Sequence, residues 1–307
     1  MAAAPQGMAP ATVTPLPTST TQASSTPFAF PTSTLPATPT PGPTFTPPPP
    51  PDDSSKDHYW LLRPIAEGGV VWTNKVYPFG STRGGTLRPH HGVEFDVPYG
   101  TQVLAAAPGV VVVAGSDAAE VFGPQPNFYG NLVVVEIDGL INGENIYTLY
   151  AHLQDVLVSV GQRVDARAVL GLSGATGVAD GPHLHFEVRV GENSYAAARN
   201  PLLWLYPFTG RGTVAGRVLW PDGTAVEEAP VVLRRIDGPS RYMATTSYAG
   251  ADLQGDPVWR ENFAIDDVEA GYYELVVESA TRRYTAEVWV YAGRTSSVEI
   301  VLEGEPR

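Results

Sequence analysis

Four of this chain's six histidines stand in three short clusters that also hold one carboxylate: His90-x-x-x-Glu94, Tyr150-Ala-His152-Leu153 and His183-Leu184-His185. Imidazole nitrogen and carboxylate oxygen are both ligands for zinc, and imidazole is the side chain best suited to moving protons near neutral pH. Two histidines and a carboxylate would make three protein ligands with one coordination position open. That is the arrangement of a catalytic zinc site rather than a structural one, and it leaves two imidazoles to spare. The chain contains no cysteine, so neither a thiolate metal site nor a disulfide framework is available.

The elements that must carry these residues read as strands. Side chains alternate faces along a strand, so His183 and His185 point to one side with Leu184 opposite. Two imidazoles on one face can serve one metal, or one can bind while the other faces a reacting bond. Gly171, Gly174, Gly177 and Gly181 precede this strand and suit tight turns at its mouth. His90 and Glu94 would lie about 13 Å apart on a regular strand, so their convergence predicts an irregular or bulged backbone. Pro89 and Gly92 fit such a departure. Short strands are expected at Thr101–Ala107, Gly109–Ala114, Asn131–Ile137, Asn145–His152 and His183–Val190, with Pro108-Gly109 and Asp180-Gly181-Pro182 as punctuation.

Around them the chain divides in three. Residues 1–56 are dominated by Pro, Thr, Ala and Ser and end in the run Pro47–Pro51, a composition expected to stay disordered as a stalk. Residues 57–208 carry every histidine and read as an antiparallel all-β domain. From Thr209 to residue 307 a second strand series begins, at Thr213–Trp220, Ala229–Ile236, Ser240–Ser247, Trp259–Ile265, Tyr272–Glu278, Tyr284–Tyr291 and Ser296–Leu302. The net charge of −13 argues against nucleic acid and anionic membrane as partners. No stretch approaches the roughly 20 apolar residues of a membrane helix, and no secretory signal is visible at the N-terminus.

Most of residues 75–205 resembles the lysostaphin/LytM-type zinc endopeptidases, which cut peptide bonds in peptidoglycan. The resemblance runs through Tyr77-Pro-Phe-Gly80, His90-His-Gly-Val-Glu94, Pro98-Tyr-Gly-Thr-Gln-Val-Leu-Ala105, Tyr129-Gly-Asn131, Tyr147-Thr-Leu-Tyr-Ala-His-Leu153, Val160-Gly-Gln-Arg-Val164, Gly171-Leu-Ser-Gly-Ala-Thr-Gly177, Gly181-Pro-His-Leu-His-Phe-Glu187 and Asn200-Pro201. It implies an antiparallel, barrel-like β-sheet domain with one Zn2+ held by His90, Glu94 and His185. It further implies that His183 and His152 flank the attacking water and the scissile carbonyl, and that Tyr129, Asn131, Thr148 and Tyr150 line the substrate groove. His58 and His91 fall outside this set and read as ordinary structural histidines. The implied substrate is peptidoglycan peptide and the implied location extracellular or in the bacterial cell envelope. The segment from Gly216-Arg-Val through Phe263-Ala-Ile to Tyr272-Tyr-Glu-Leu275 resembles carboxypeptidase-regulatory-like, prealbumin-type β-sandwiches, with an accessory role.

Two positions depart from the pattern. Glu94 stands where the family has aspartate, and Asp96, two residues on, is a second candidate for the carboxylate ligand. Arg167 stands where the family's hairpin has glycine. Relatives that lost their ligands act as wall-binding regulators, an alternative that retention of all four histidines and a carboxylate argues against. Val160-Gly-Gln-Arg-Val164 also resembles the hairpin of biotinyl and lipoyl carriers, but a carrier needs an acceptor lysine and none follows Lys75.

Overall fold

The computed structural model describes residues 46–51, 54–279 and 282–304. The stalk expected over residues 1–56 lies largely outside them. Up to Arg199 the described residues form nine strands: β1 (Val93–Phe95), β2 (Gln102–Leu104), β3 (Gly109–Ser116), β4 (Asn131–Ile141), β5 (Glu144–Val156), β6 (Arg163–Val164), β7 (Val169–Ser173), β8 (Leu184–Val190) and β9 (Ala198–Arg199). All pair antiparallel in one sheet whose main path is β1-β8-β5-β4-β3-β6, as the alternating, β-branched sequence implies.

β5 organises this sheet. Ile146–Ala151 pair with β8, opposite β4, and from Leu153 onward, through a register shift at Leu153/Asp155, the strand pairs with β7, which in turn pairs with β2. β8 alternates apolar residues (Leu184, Phe186, Val188, Val190) with polar ones (His185, Glu187, Arg189), yet every position is buried. The apolar row packs into a core with Phe95, Val133, Val135, Tyr150 and Leu153. The polar row lies on the side of a smaller cluster containing Tyr129, Leu132 and Leu149, against which Phe128 and Tyr195 pack.

Seven further strands follow: β10 (Arg211–Leu219), β11 (Pro230–Arg235), β12 (Tyr242–Thr246), β13 (Phe263–Glu269), β14 (Gly271–Glu278), β15 (Arg283–Val290) and β16 (Thr295–Val301). They form sheets of order β13-β10-β16 and β12-β11-β14-β15, which bury Val214, Val218, Val231, Leu233, Phe263, Leu275 and Val277 in one shared core. β10 and β16 run parallel, unlike the other strand pairs among the described residues. The strand expected at Trp259–Ile265 starts later, because Val258 and Trp259 donate their backbone N–H groups to the Asp256 carboxylate and form a turn.

Residues 57–75 tie both halves together. Leu61 exchanges backbone hydrogen bonds with Trp204 and Tyr206, while Arg63 and Thr73 donate to the carboxylates of Asp267 and Asp266 on β13 at 2.8 and 3.0 Å. Ala215 and Ala264 of the C-terminal sheets belong to the same buried cluster as Leu202 and Trp204. Arg167 occupies the left-handed region at φ +71°, and its guanidinium recovers that cost by donating to the carbonyls of Arg63 and Ile65.

Gly109 marks the tightest approach within the nine-stranded sheet, pairing with Ile137 on one side and Val164 on the other. A Cβ there would meet the Glu136 carbonyl oxygen and stand 2.8 Å from Ile137 Cα. Gly109→Ala should therefore destabilise the protein by about 1–3 kcal/mol, the range of overpacked cores, read as a lower urea midpoint at unchanged m.

Candidate metal centre

The convergence of the histidines begins with strand register. β1 and β8 pair so that Glu94 faces His185, with Val93 opposite Phe186 and Phe95 opposite Leu184. His90 lies outside the strand, in the loop that enters β1, which supplies the irregular backbone that its spacing from Glu94 required. Gly92 permits the approach: a Cβ on it would stand 2.5 Å from the Phe186 carbonyl oxygen and 2.8 Å from the His185 ring. His152 sits on β5 at φ +60°, a left-handed conformation uncommon outside glycine, between the register shifts of this strand.

Three ligand atoms then meet. His90 Nε2 lies 3.0 Å from Glu94 Oε1 and 3.2 Å from His185 Nδ1, and His185 Nδ1 lies 3.2 Å from Glu94 Oε1. Ligands bound at 2.0–2.1 Å around a tetrahedral zinc stand about 3.4 Å apart, so this triangle matches one face of such a site. Among the described residues, His90, Glu94 and His185 are the group whose ligand atoms could share one ion. Asp96 is exposed and accepts from the Asn74 side chain, which removes it as the alternative carboxylate.

Hydrogen bonds on the outer side of each ring fix what faces inward. Carbonyl oxygens only accept, so a ring nitrogen bonded to one carries the hydrogen. His90 Nδ1 donates to the Tyr77 carbonyl at 2.8 Å, and its ring stacks on Tyr77 at 4.1 Å. His185 Nε2 bonds Glu187 Oε1 at 3.0 Å. His152 Nδ1 donates to the Thr176 carbonyl at 2.8 Å and His183 Nδ1 to the Gly181 carbonyl at 2.9 Å. In their neutral forms, His90 Nε2 and His185 Nδ1 therefore present lone pairs to each other and to a carboxylate oxygen. Acceptors crowded this closely repel unless a cation sits among them, which is the requirement a metal meets.

Without a metal, protons on the imidazoles meet the same requirement. Burial pushes the Glu94 carboxyl up, but hydrogen bonds from His183, His185 and His90 outweigh it and hold the group well below its usual range. Burial works against charge on His185, and Glu187 and Glu94 override it and lift this histidine to about 9. His183 is likewise raised against its burial, because its Nε2 lies 2.6 Å from Glu94 Oε2. His152 is pushed down to about 3 by burial and by the neighbouring imidazoles of His185 and His183. Its ring centroid stands 4.8 Å from that of His183.

The other expected residues divide. Tyr129, Thr148 and Tyr150 have no exposed surface and cannot line a groove. Tyr150 instead accepts from the Ala106 backbone and donates to Thr148, an internal tie. Tyr129 donates to Glu187 behind His185. Asn131 keeps partial exposure and donates to the carbonyls of Leu153 and Gln154, beside His152. His58 and His91 stay out of the cluster, the first paired with Asp256 and the second bridging the Pro89 and Asp252 carbonyls.

Glu187 and Arg189 were not singled out as functional from the sequence, although their two-residue spacing from His185 placed them on its face. Both are fully buried, and Arg189 Nε donates to Glu187 Oε2 at 2.8 Å. Burial raises the Glu187 carboxyl, and Arg189 and His185 more than reverse that shift. A depressed pKa contributes stability above the unfolded value near 4.5 that is lost as pH falls below it. Glu187→Gln should accordingly flatten the acid limb of the metal-free protein's stability profile below about pH 5. Left with an unpaired buried Arg189, it should cost about 3 kcal/mol in urea unfolding and lower zinc affinity roughly 10–100-fold by chelator competition.

Residues 88–197 match the model of peptidase family M23. The peptidoglycan DD-endopeptidase ShyA of Vibrio cholerae is 38% identical over 104 residues, 34% of this chain and 21% of ShyA. Lysostaphin of Staphylococcus simulans is 34% identical over 205 residues, 61% of this chain and 38% of lysostaphin. The solved catalytic domain of lysostaphin is 31% identical, covers 43% of this chain and 86% of that domain, and superposes with a TM-score of 0.34. The chain spans about a fifth to two fifths of the length of these curated relatives. His90, Glu94, His152, His183 and His185 all fall within the matched segment, and over residues 88–197 the chain carries a peptidase family M23 domain.

Proposed function

We propose that the protein is a zinc-dependent endopeptidase that hydrolyses peptide bonds of bacterial peptidoglycan, outside the cell or in its envelope. The observation that carries this reading is the triangle of His90 Nε2, Glu94 Oε1 and His185 Nδ1, three acceptors facing one point with their outer hydrogen bonds already made. The likeness to ShyA, a peptidoglycan DD-endopeptidase, supports the choice of substrate at family level.

In this reading His90, Glu94 and His185 hold the ion. The chemistry supplied by zinc when bound is Lewis acidity, which polarises a carbonyl and brings the pKa of a water near 7. His152, with Nδ1–H committed to Thr176, offers Nε2 as a proton acceptor for the attacking water. Both nitrogens of His183 face acceptors, Gly181 O and Glu94 Oε2, which favours the doubly protonated ring. Such a ring donates a hydrogen bond to a developing oxyanion and a proton to the leaving amine. Residues 1–56 serve in this proposal as a stalk, residues 57–208 as the peptidase domain, and residues 209–307 as an accessory β-sandwich. Asn131 is the one expected groove residue whose partial exposure suits contact with substrate.

Purified protein should contain about one equivalent of zinc at neutral pH, removed by chelation and absent from His185→Ala. On purified sacculi, wild type should release muropeptide ends, and His152→Ala and His183→Ala should each be slower by about 10²-fold or more at retained zinc content. Metal-free wild type would sink the reading, and release at the wild-type rate by either alanine variant would remove the role given to that histidine.

A further inference from the structure

The loop that carries His90 has its back to the C-terminal sheets. Gly80 N donates to the His90 carbonyl at 2.7 Å and His90 N donates to the Ser81 carbonyl at 3.1 Å, so the ligand's backbone is pinned to Gly80 and Ser81. The Tyr77 carbonyl that orients the ring lies in the same loop. Gly80 and the neighbours of these positions rest on residues beyond 209. Phe79 packs edge-on against Tyr248 at 5.2 Å, and Gly80 lies so close that an added Cβ would stand 2.7 Å from Tyr248 Cδ1. Thr82, next to Ser81, gives both its backbone N–H and its hydroxyl to Glu228 Oε1, the hydroxyl at 2.9 Å. His91, next to His90, bonds the Asp252 carbonyl at 3.0 Å.

Glu228 is itself held. It sits in the left-handed region at φ +52° and its N–H donates to the Ser247 carbonyl at 2.9 Å. Ser247 in turn is buried and bonds the Val226 carbonyl and the Ala229 N–H. Tyr248 follows Ser247 directly and donates to the buried Glu261 at 2.6 Å. A strained, half-buried anchor of this kind is costly unless the surroundings fix it, and here the fixed end grips a loop of the other sheet.

We infer that the C-terminal sheets are part of the catalytic apparatus: Glu228, with Tyr248 and Asp252, positions the Tyr77–His91 loop and through it the metal ligand His90. This role differs from wall binding or spacing. Glu228 touches no metal ligand and acts through Thr82 and Ser81, so it is a positioning residue. The inference rests on the reading of His90 as a ligand.

The test uses the full chain. Glu228→Ala should weaken zinc binding roughly threefold to tenfold by chelator competition, below the effect of removing a direct partner of a ligand. It should also alter the visible spectrum of the cobalt-substituted protein. Glu228→Gln keeps an oxygen that accepts from Thr82 and should restore both readouts. Thr82→Ala approaches the same bond from the loop side, should act in the same direction, and should be less than additive with Glu228→Ala. It also serves where Glu228→Ala fails to fold. Wild-type affinity and an unchanged cobalt spectrum in whichever of the two alanine variants folds would overturn the inference while leaving the zinc reading intact. A weakened site not rescued by Glu228→Gln would also overturn the assignment to this hydrogen bond. Wild type that binds neither metal would instead remove the reading beneath it, and the inference with it.

Discussion

The site depends on one constraint: two imidazole nitrogens and a carboxylate oxygen are held within about 3 Å of one another, a spacing tolerated only with a proton or a metal cation between them. Left alone, such a group would spread apart. It stays together because each member is fixed from behind, His90 by the Tyr77 carbonyl, His185 by Glu187 and Glu94 by its place in β1 opposite His185. Register is the deepest of these supports. A slip of one residue between β1 and β8 would turn Glu94 to the apolar face and Val93 or Phe95 towards the imidazoles. The apolar core under β8 and the polar row above it thus specify the same pairing, one by excluding charge and the other by requiring it.

That polar row explains why β8 is buried on both faces. His185, Glu187 and Arg189 form a line in which each charge has its complement, and Tyr129 closes the end by donating to Glu187 and accepting from Arg189. A carboxylate this deep is tolerable only when fully bonded. Its function is to keep the proton of His185 on Nε2, so that Nδ1 faces the ligand triangle. The aromatic residues around it shield the outer hydrogen bonds from water and leave the inner face to the three ligand atoms.

The sequence makes the strands and the inner residues legible because both obey short-range rules. Alternation placed His183 and His185 on one face, and the need for irregular backbone between His90 and Glu94 is met by the entry loop and Gly92. Burial was not legible. Tyr129, Thr148 and Tyr150 stand in text that suits a groove, yet they lie inside, Tyr150 in the main core and Tyr129 in the cluster against which Phe128 and Tyr195 pack, which no local pattern announces. The left-handed φ of His152 was hidden for the same reason. Least legible of all was the grip of Glu228, Tyr248 and Asp252 on the His90 loop, since contacts across more than a hundred residues leave no periodic trace.

Glutamate in place of aspartate at position 94 acquires a physical meaning from this geometry. With the backbone fixed by pairing to His185, the extra methylene carries the carboxylate about 1.5 Å further from the strand. Oε1 reaches both ligand histidines, and Oε2 reaches His183 at 2.6 Å. A single carboxylate therefore links the ligand triangle to the imidazole proposed to act as proton donor. The link cuts both ways. It holds His183 beside the reacting position and favours its charged form, but it also gives His183 a strong partner that substrate must compete with. In a buried pocket a charge-assisted hydrogen bond is stronger than a neutral one, so the competition is decided by how far Oε2 is drawn towards the ion when the site is filled. The arm length at position 94 thus sets the donor strength of His183 as well as the fit of the ligand.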